Sequence, residues 1–167
     1  MFTVLLEYLH NKGFIHCDIK PDNIAIGLGS DHKLKVIDFG CAKFYWKSQR
    51  TREHIPFKTG KLGYRGTPRY VSLTILRNNE TLKCSENVHL GHALSRRDDF
   101  ISLAYTLAYL LRYPLPWQDA LKNDNKSIHR LYQFDIIAGY KYKYTGRKLF
   151  EGFHPIFGDF MIVSEMN

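Results

Sequence analysis

Asp18, Lys20 and Asn23 share the run His16-Cys17-Asp18-Ile19-Lys20-Pro21-Asp22-Asn23, and Asp38-Phe39-Gly40 follows with Asp38 fifteen positions after Asn23. These residue types suit one kind of chemistry. A carboxylate beside a reacting hydroxyl can accept its proton. An amine can balance charge on a moving phosphoryl group. An amide oxygen and a second carboxylate are hard ligands suited to Mg²⁺. Singly, each is an ordinary solvated turn residue; together they make a plausible set for phosphoryl transfer.

The surrounding sequence must bring them together. Ile24-Ala25-Ile26 and Leu34 to Ile37 read as two short strands, with Gly27, Gly29, Ser30 and Asp31 in the turn between them. Such a turn-strand-turn-strand unit can place both polar loops at one edge of a hairpin. Met1 to Asn11 carries Val4, Leu5, Leu6, Tyr8 and Leu9 on more than one face, which predicts a well-buried helix closed by Asn11-Lys12-Gly13. Phe14 to Ile19 is a short apolar stretch, and Pro21 bars its continuation as an inner strand.

Cys41 to Arg69 is basic and irregular, and Asn78 to Asn87 is polar without clear period. Ser95 is suited to cap a helix over Arg96 to Arg112, with Asp98 and Asp99 in its first turn and Pro114 and Pro116 beyond its end. Its aromatic stripe, Phe100 to Tyr109, reads as core packing. Further helices are expected over Ser127 to Ile137 and from Pro155 to Met161.

The 167 residues suit one domain, at roughly 150 residues per domain. Their 44% hydrophobic and 14% aromatic content excludes a disordered tail. Cys17, Cys41 and Cys84 are too few and too scattered for a disulfide framework or a zinc site, so an intracellular setting, cytoplasmic or nuclear, is expected. No apolar run approaches the roughly 20 residues of a membrane helix, and no signal peptide is evident. The net charge of +8 suits acidic partners.

The two polar motifs, in this order and spacing, resemble the catalytic loop and DFG metal loop of protein kinases. Gly66-Thr67-Pro68-Arg69-Tyr70 resembles the segment that closes the activation loop and receives substrate. Finer features are similar to the casein kinase 1 branch: Gly27-Leu28-Gly29, His54-Ile55-Pro56-Phe57, Val88-His89-Leu90-Gly91, Ser95-Arg96-Arg97-Asp98-Asp99 and Leu115-Pro116-Trp117-Gln118, with Arg69 where most kinases place Glu. The implied fold is α+β, mainly α: a kinase-like large (C-terminal) lobe with short β-hairpins beside the catalytic loop. The likeness runs to about Lys122, with a fainter echo around Gly152 to Phe160. Residues at about 74–86 read as an insertion or a gene-model error.

The resemblance assigns roles. Asp18 would orient the Ser or Thr hydroxyl, Lys20 would meet the γ-phosphate, and Thr67 would bond the Asp18–Lys20 pair. Asn23 and Asp38 would hold Mg²⁺ on ATP, with Ala25 beneath the adenine. Arg69, with Arg65 and Lys61, would contact an acidic or phosphorylated protein substrate. Asp99 would accept backbone amides of the catalytic loop, and His16 would pack beside Phe39. Cys17 replaces the arginine that commonly pairs with an activation-loop phosphate, so no switching by loop phosphorylation is expected. The match begins partway into the helix before the catalytic loop. The Gly-rich loop, strand lysine and glutamate of the small lobe are not in the sequence, and weak or no autonomous activity is expected.

Two other readings compete: a non-catalytic, pseudokinase-like binding module, and a basic nucleic-acid-binding remnant. The latter rests on Lys141, Tyr142, Lys143, Tyr144, Arg147 and Lys148, which read better as a solvated edge, so nucleic acid is the lesser expectation. No oligomeric state follows from the sequence.

Overall fold

The computed structural model describes residues 2–28, 33–56, 66–72, 94–118 and 130–166. Among the described residues four helices dominate: α1 (Phe2–Asn11), α2 (Arg96–Arg112), α3 (Arg130–Lys143) and α4 (Pro155–Met166). Among the described residues four short strands lie between α1 and α2. These are β1 (Phe14–Ile15), β2 (Ile24–Ile26), β3 (Leu34–Val36) and β4 (Lys43–Phe44). They form two antiparallel pairs, β1 with β4 and β2 with β3. The fold is therefore α+β and mainly helical. The expected insertion at about 74–86 lies outside the described residues.

α1 departs from its expected burial. Only Leu6 and His10, one helical turn apart, are fully buried, whereas Val4 and Tyr8 are each 62% exposed. The helix has one buried stripe, not several. It closes at Gly13, whose φ of +87° is the left-handed geometry that glycine adopts at least cost. A side chain there would also strike Phe44 and Trp46.

β1 and β4 pair in the register Phe14↔Phe44 and Ile15↔Lys43. The stretch from Cys41 was expected to be irregular, yet it supplies β4 and an isolated bridge, Trp46↔His54. Ring contacts accompany these pairings, with Phe14 edge-on to Phe44 at 5.1 Å and Tyr45 edge-on to His54 at 5.2 Å.

α2 runs through the interior. Ser95 precedes it and donates its backbone N–H and hydroxyl to Asp98, closing the first turn. A main core joins Ile101, Tyr105 and Ala108 of α2 to Tyr70, Val71, Leu115, Trp117, Leu149 and Met161. A smaller core joins Leu6 of α1, Ile19 and Leu103 of α2. Burying each such side chain contributes roughly 1.5–3 kcal/mol. The first polar loop and the Thr67 segment are thereby rooted: Ile19 sits between Asp18 and Lys20, and Tyr70 and Val71 follow Thr67 closely in the chain.

α3 runs six residues beyond the expected end at Ile137, reaching Lys143. The expected solvated edge does not hold at Lys141, which is fully buried. α4 extends from the expected start at Pro155 to Met166. Among the described residues no helix is long and apolar enough to cross a membrane.

Candidate active site

The loop from His16 to Asn23 is held from below by Asp99. One carboxylate oxygen accepts the backbone N–H of Cys17 at 2.8 Å; the other accepts that of His16 at 2.8 Å and meets His10 Nε2 at 2.8 Å. Tyr45 in turn donates its hydroxyl to the His10 carbonyl at 2.5 Å. Asp99 is 1% exposed, so a buried carboxylate has three donors. The expectation for Asp99 holds, and the amides are those of residues 16 and 17. His10 was not singled out in the sequence. Its signal was its place one turn after Leu6 on the buried stripe of α1.

This support imposes an uncommon backbone. Cys17 has φ +67°, the left-handed region, and it is buried. Burial, then the charge of Asp99, pushes its thiol up to about 12, against the opposing charge of Lys43. The thiol stays protonated at neutral pH and fills space. His16 is fully buried: its Nδ1 accepts the Asp18 N–H at 3.3 Å, its Nε2 lies 3.2 Å from the Ile37 carbonyl, and its ring is edge-on to Phe39 at 5.0 Å. Accepting at Nδ1 leaves the proton on Nε2, which donates to Ile37.

Asp18, Lys20, Asn23 and Thr67 meet in one network. Thr67 Oγ1 donates to Asp18 Oδ1 at 2.8 Å and accepts from Lys20 Nζ at 3.0 Å. Lys20 Nζ is also 2.8 Å from Asp18 Oδ2. Asn23 Nδ2 donates to the Asp18 carbonyl at 2.9 Å and to Asp18 Oδ2 at 3.2 Å. Burial alone would raise the Asp18 carboxyl. The hydrogen bonds from Lys20 and Thr67, with the Lys20 charge, outweigh it and hold the group below its usual range. Lys20 is raised, chiefly by its bond to Asp18, against a smaller opposing effect of burial; the charges of Asp22 and Asp38 add to the rise. Both are ionised at neutral pH.

Asp38 approaches through the backbone. The Ile37 N–H donates to the Asn23 carbonyl at 2.9 Å, which ties the second loop to the first. Asp38 itself is left-handed, with φ +61°, and its Oδ1 accepts the Gly40 N–H at 3.1 Å. Its carboxylate is exposed. The Asn23 amide nitrogen is turned to Asp18, so its oxygen points the other way. An amide oxygen and an exposed carboxylate on tied loops fit a hard divalent cation whose remaining ligands come from phosphate and water. Among the described residues no group of three His, Cys, Asp or Glu could hold a metal alone.

Gly66 lets the third segment approach. Its φ is +93°, and a Cβ there would lie 2.5 Å from the Cys17 carbonyl oxygen. Only glycine permits this contact without displacement. Tyr70 and Val71 both donate backbone N–H to the Thr67 carbonyl, at 2.9 and 3.1 Å. Arg69 is exposed, its guanidinium 5.9 Å from the centre of the Tyr70 ring. Ala25 is half-buried in β2, opposite Lys35. Lys61 and Arg65 lie outside the described residues.

A carboxylate held by a lysine and a threonine, beside a tied loop offering a second carboxylate, is a set equipped for phosphoryl transfer on a mainly helical scaffold. The family model described as the protein kinase domain matches residues 3–151, and the chain belongs to the protein kinase family. That membership implies, at the general level, a phosphotransferase that uses ATP and a divalent metal.

Proposed function

We propose that the chain forms the large lobe of a casein kinase 1-like serine/threonine protein kinase, acting on acidic or already phosphorylated segments of proteins. The observation that carries this reading is the closed network of Asp18, Lys20, Asn23 and Thr67, all within 3.2 Å of a partner. Asp18 is buried, ionised and rigidly held. It orients the substrate hydroxyl and takes its proton as the new O–P bond forms. Lys20 offers its charge to the phosphate oxygens, and Thr67 fixes the angle between the two. Asn23 and Asp38 present oxygens for the metal. Bound Mg²⁺–ATP would supply the γ-phosphoryl group, whose bond to the bridging oxygen breaks as ADP leaves, and the metal would neutralise the phosphate charge. The casein kinase 1 type is supported by the sequence motifs, and the acidic preference by the exposed Arg69, whose planar fork can grip a carboxylate or phosphate through two donors.

The test is phosphate transfer from Mg²⁺–ATP to a serine peptide, with acidic, pre-phosphorylated and neutral versions compared. Any transfer that the wild type shows is expected to fall by roughly 10²–10⁴-fold in Asp18→Asn. In Arg69→Ala the preference for the acidic peptide is expected to shrink while the neutral peptide is unaffected. Turnover equal in wild type and Asp18→Asn would refute catalysis by this chain alone, and failure to bind Mg²⁺–ATP would refute the kinase reading. Binding of the acidic peptide without binding of Mg²⁺–ATP would instead favour the binding module.

A further inference from the structure

Lys141 is the one lysine among the described residues that is fully buried. Its Nζ donates to the backbone carbonyls of Pro68 at 2.9 Å and Val71 at 2.5 Å. It lies 4.5 Å from the centre of the Tyr105 ring and 5.2 Å from that of Trp117. Burial drives its pKa well below the ordinary lysine value. A buried amine that meets two carbonyls and two ring faces is held where its N–H groups are needed, because an unpaired one would be costly there.

The carbonyls it holds belong to the segment that carries Thr67 and Arg69. Trp117 Nε1 donates to the Arg69 carbonyl at 3.0 Å. Three carbonyls of this short segment, those of Pro68, Arg69 and Val71, are thus drawn inward by two side chains. On the other side, Thr67 Oγ1 faces Asp18 and Lys20, and the Arg69 side chain faces solvent. The segment is pinned through its backbone, which leaves its outward side chains in a fixed register.

We propose that Lys141 is a positioning residue for the substrate-facing segment, tethering Pro68 and Val71 to the core so that Thr67 meets the Asp18–Lys20 pair and Arg69 faces the substrate. The consequence for transfer rests on the kinase reading above; the tether itself does not.

The experiment compares the full chain with Lys141→Met, which keeps the stem and loses the donors, and Lys141→Gln, which keeps an amide donor. Amide hydrogen exchange is read residue by residue, and transfer kinetics are read alongside. Loss of two hydrogen bonds is expected to speed exchange at the Tyr70 and Val71 amides by about tenfold or more in Lys141→Met. Exchange along α2 should stay unchanged, and Lys141→Gln should recover part of the protection. In the same variant kcat/KM for peptide should fall while KM for ATP holds. Several results would overturn the proposal: no change at residues 66–72, equal acceleration throughout the core, failure of both variants to fold, or local loosening in an active enzyme with kcat/KM intact. Absence of transfer in the wild type agrees with the weak or absent autonomous activity expected from the sequence and leaves exchange to decide the tether, whereas failure to bind Mg²⁺–ATP would refute the kinase reading.

Discussion

Asp18 carries a signed pH dependence. Its carboxyl is held below the usual range by Lys20 and Thr67 against the effect of burial, so the folded value lies under the unfolded one. The stabilisation is therefore present above the ordinary carboxyl value, about pH 4, and is lost as pH falls through the folded value. Urea unfolding of wild type and Asp18→Asn should show a constant gap from about pH 8 to 5 that closes below about pH 4. At the other end Lys20 is raised, so its share is lost only as pH rises through its folded value, above the ordinary lysine value. Asp99 presents the larger risk. In Asp99→Ala, the N–H groups of His16 and Cys17 and the His10 ring lose their acceptor together. Denaturant unfolding should register a loss of about 3–5 kcal/mol, with Asp99→Asn milder. The candidate catalytic residues could be singled out because their motifs are local. His10 and Lys141 could not, because what each touches is settled by chain segments far away, and a histidine or lysine gives no local sign of being buried.

At the scale of elements, Gly66 decides how closely two segments meet. Gly66→Ala places a methyl against the Cys17 carbonyl at a left-handed φ, so the segment must move outward. A cost of about 1–3 kcal/mol is expected. Thermal unfolding should record it, and weakened contact of Thr67 with Asp18 should lower transfer further than the loss of folded protein explains. Helix α2 was readable with its cap because Ser95, the acidic first turn and the closing prolines are all sequence-local. Strand β4 was not, since two residues in a basic stretch become a strand only when Phe14 and Ile15 pair with them. The end of α3 was misjudged for a related reason. The polar, aromatic run from Tyr140 interrupts a simple apolar period, yet the burial of Lys141 against Tyr105 and Trp117 carries the helix onward. The one-sided burial of α1 likewise depends on what packs against it, with Leu6 meeting Ile19 and Leu103.

For the molecule as a whole, a charge of +8 gives acidic partners a long-range attraction. If the proposed substrates are acidic, raising salt from about 0.05 M to 0.3 M shortens the screening length well below 10 Å, and KM for an acidic peptide should rise while that for a neutral one stays level. Peptide kinetics at several salt concentrations would check this. Tyr70 and Val71 belong to the same hydrophobic interior as α2, α4 and Trp117, although they directly follow the segment proposed to face substrate. The interior and the proposed recognition surface are then two sides of one piece of chain. A change of target preference would be achieved most cleanly by replacing outward side chains such as Arg69. On the proposed function, repacking the interior to gain thermal resistance would, without touching any solvent-facing group, retune which peptides the molecule prefers.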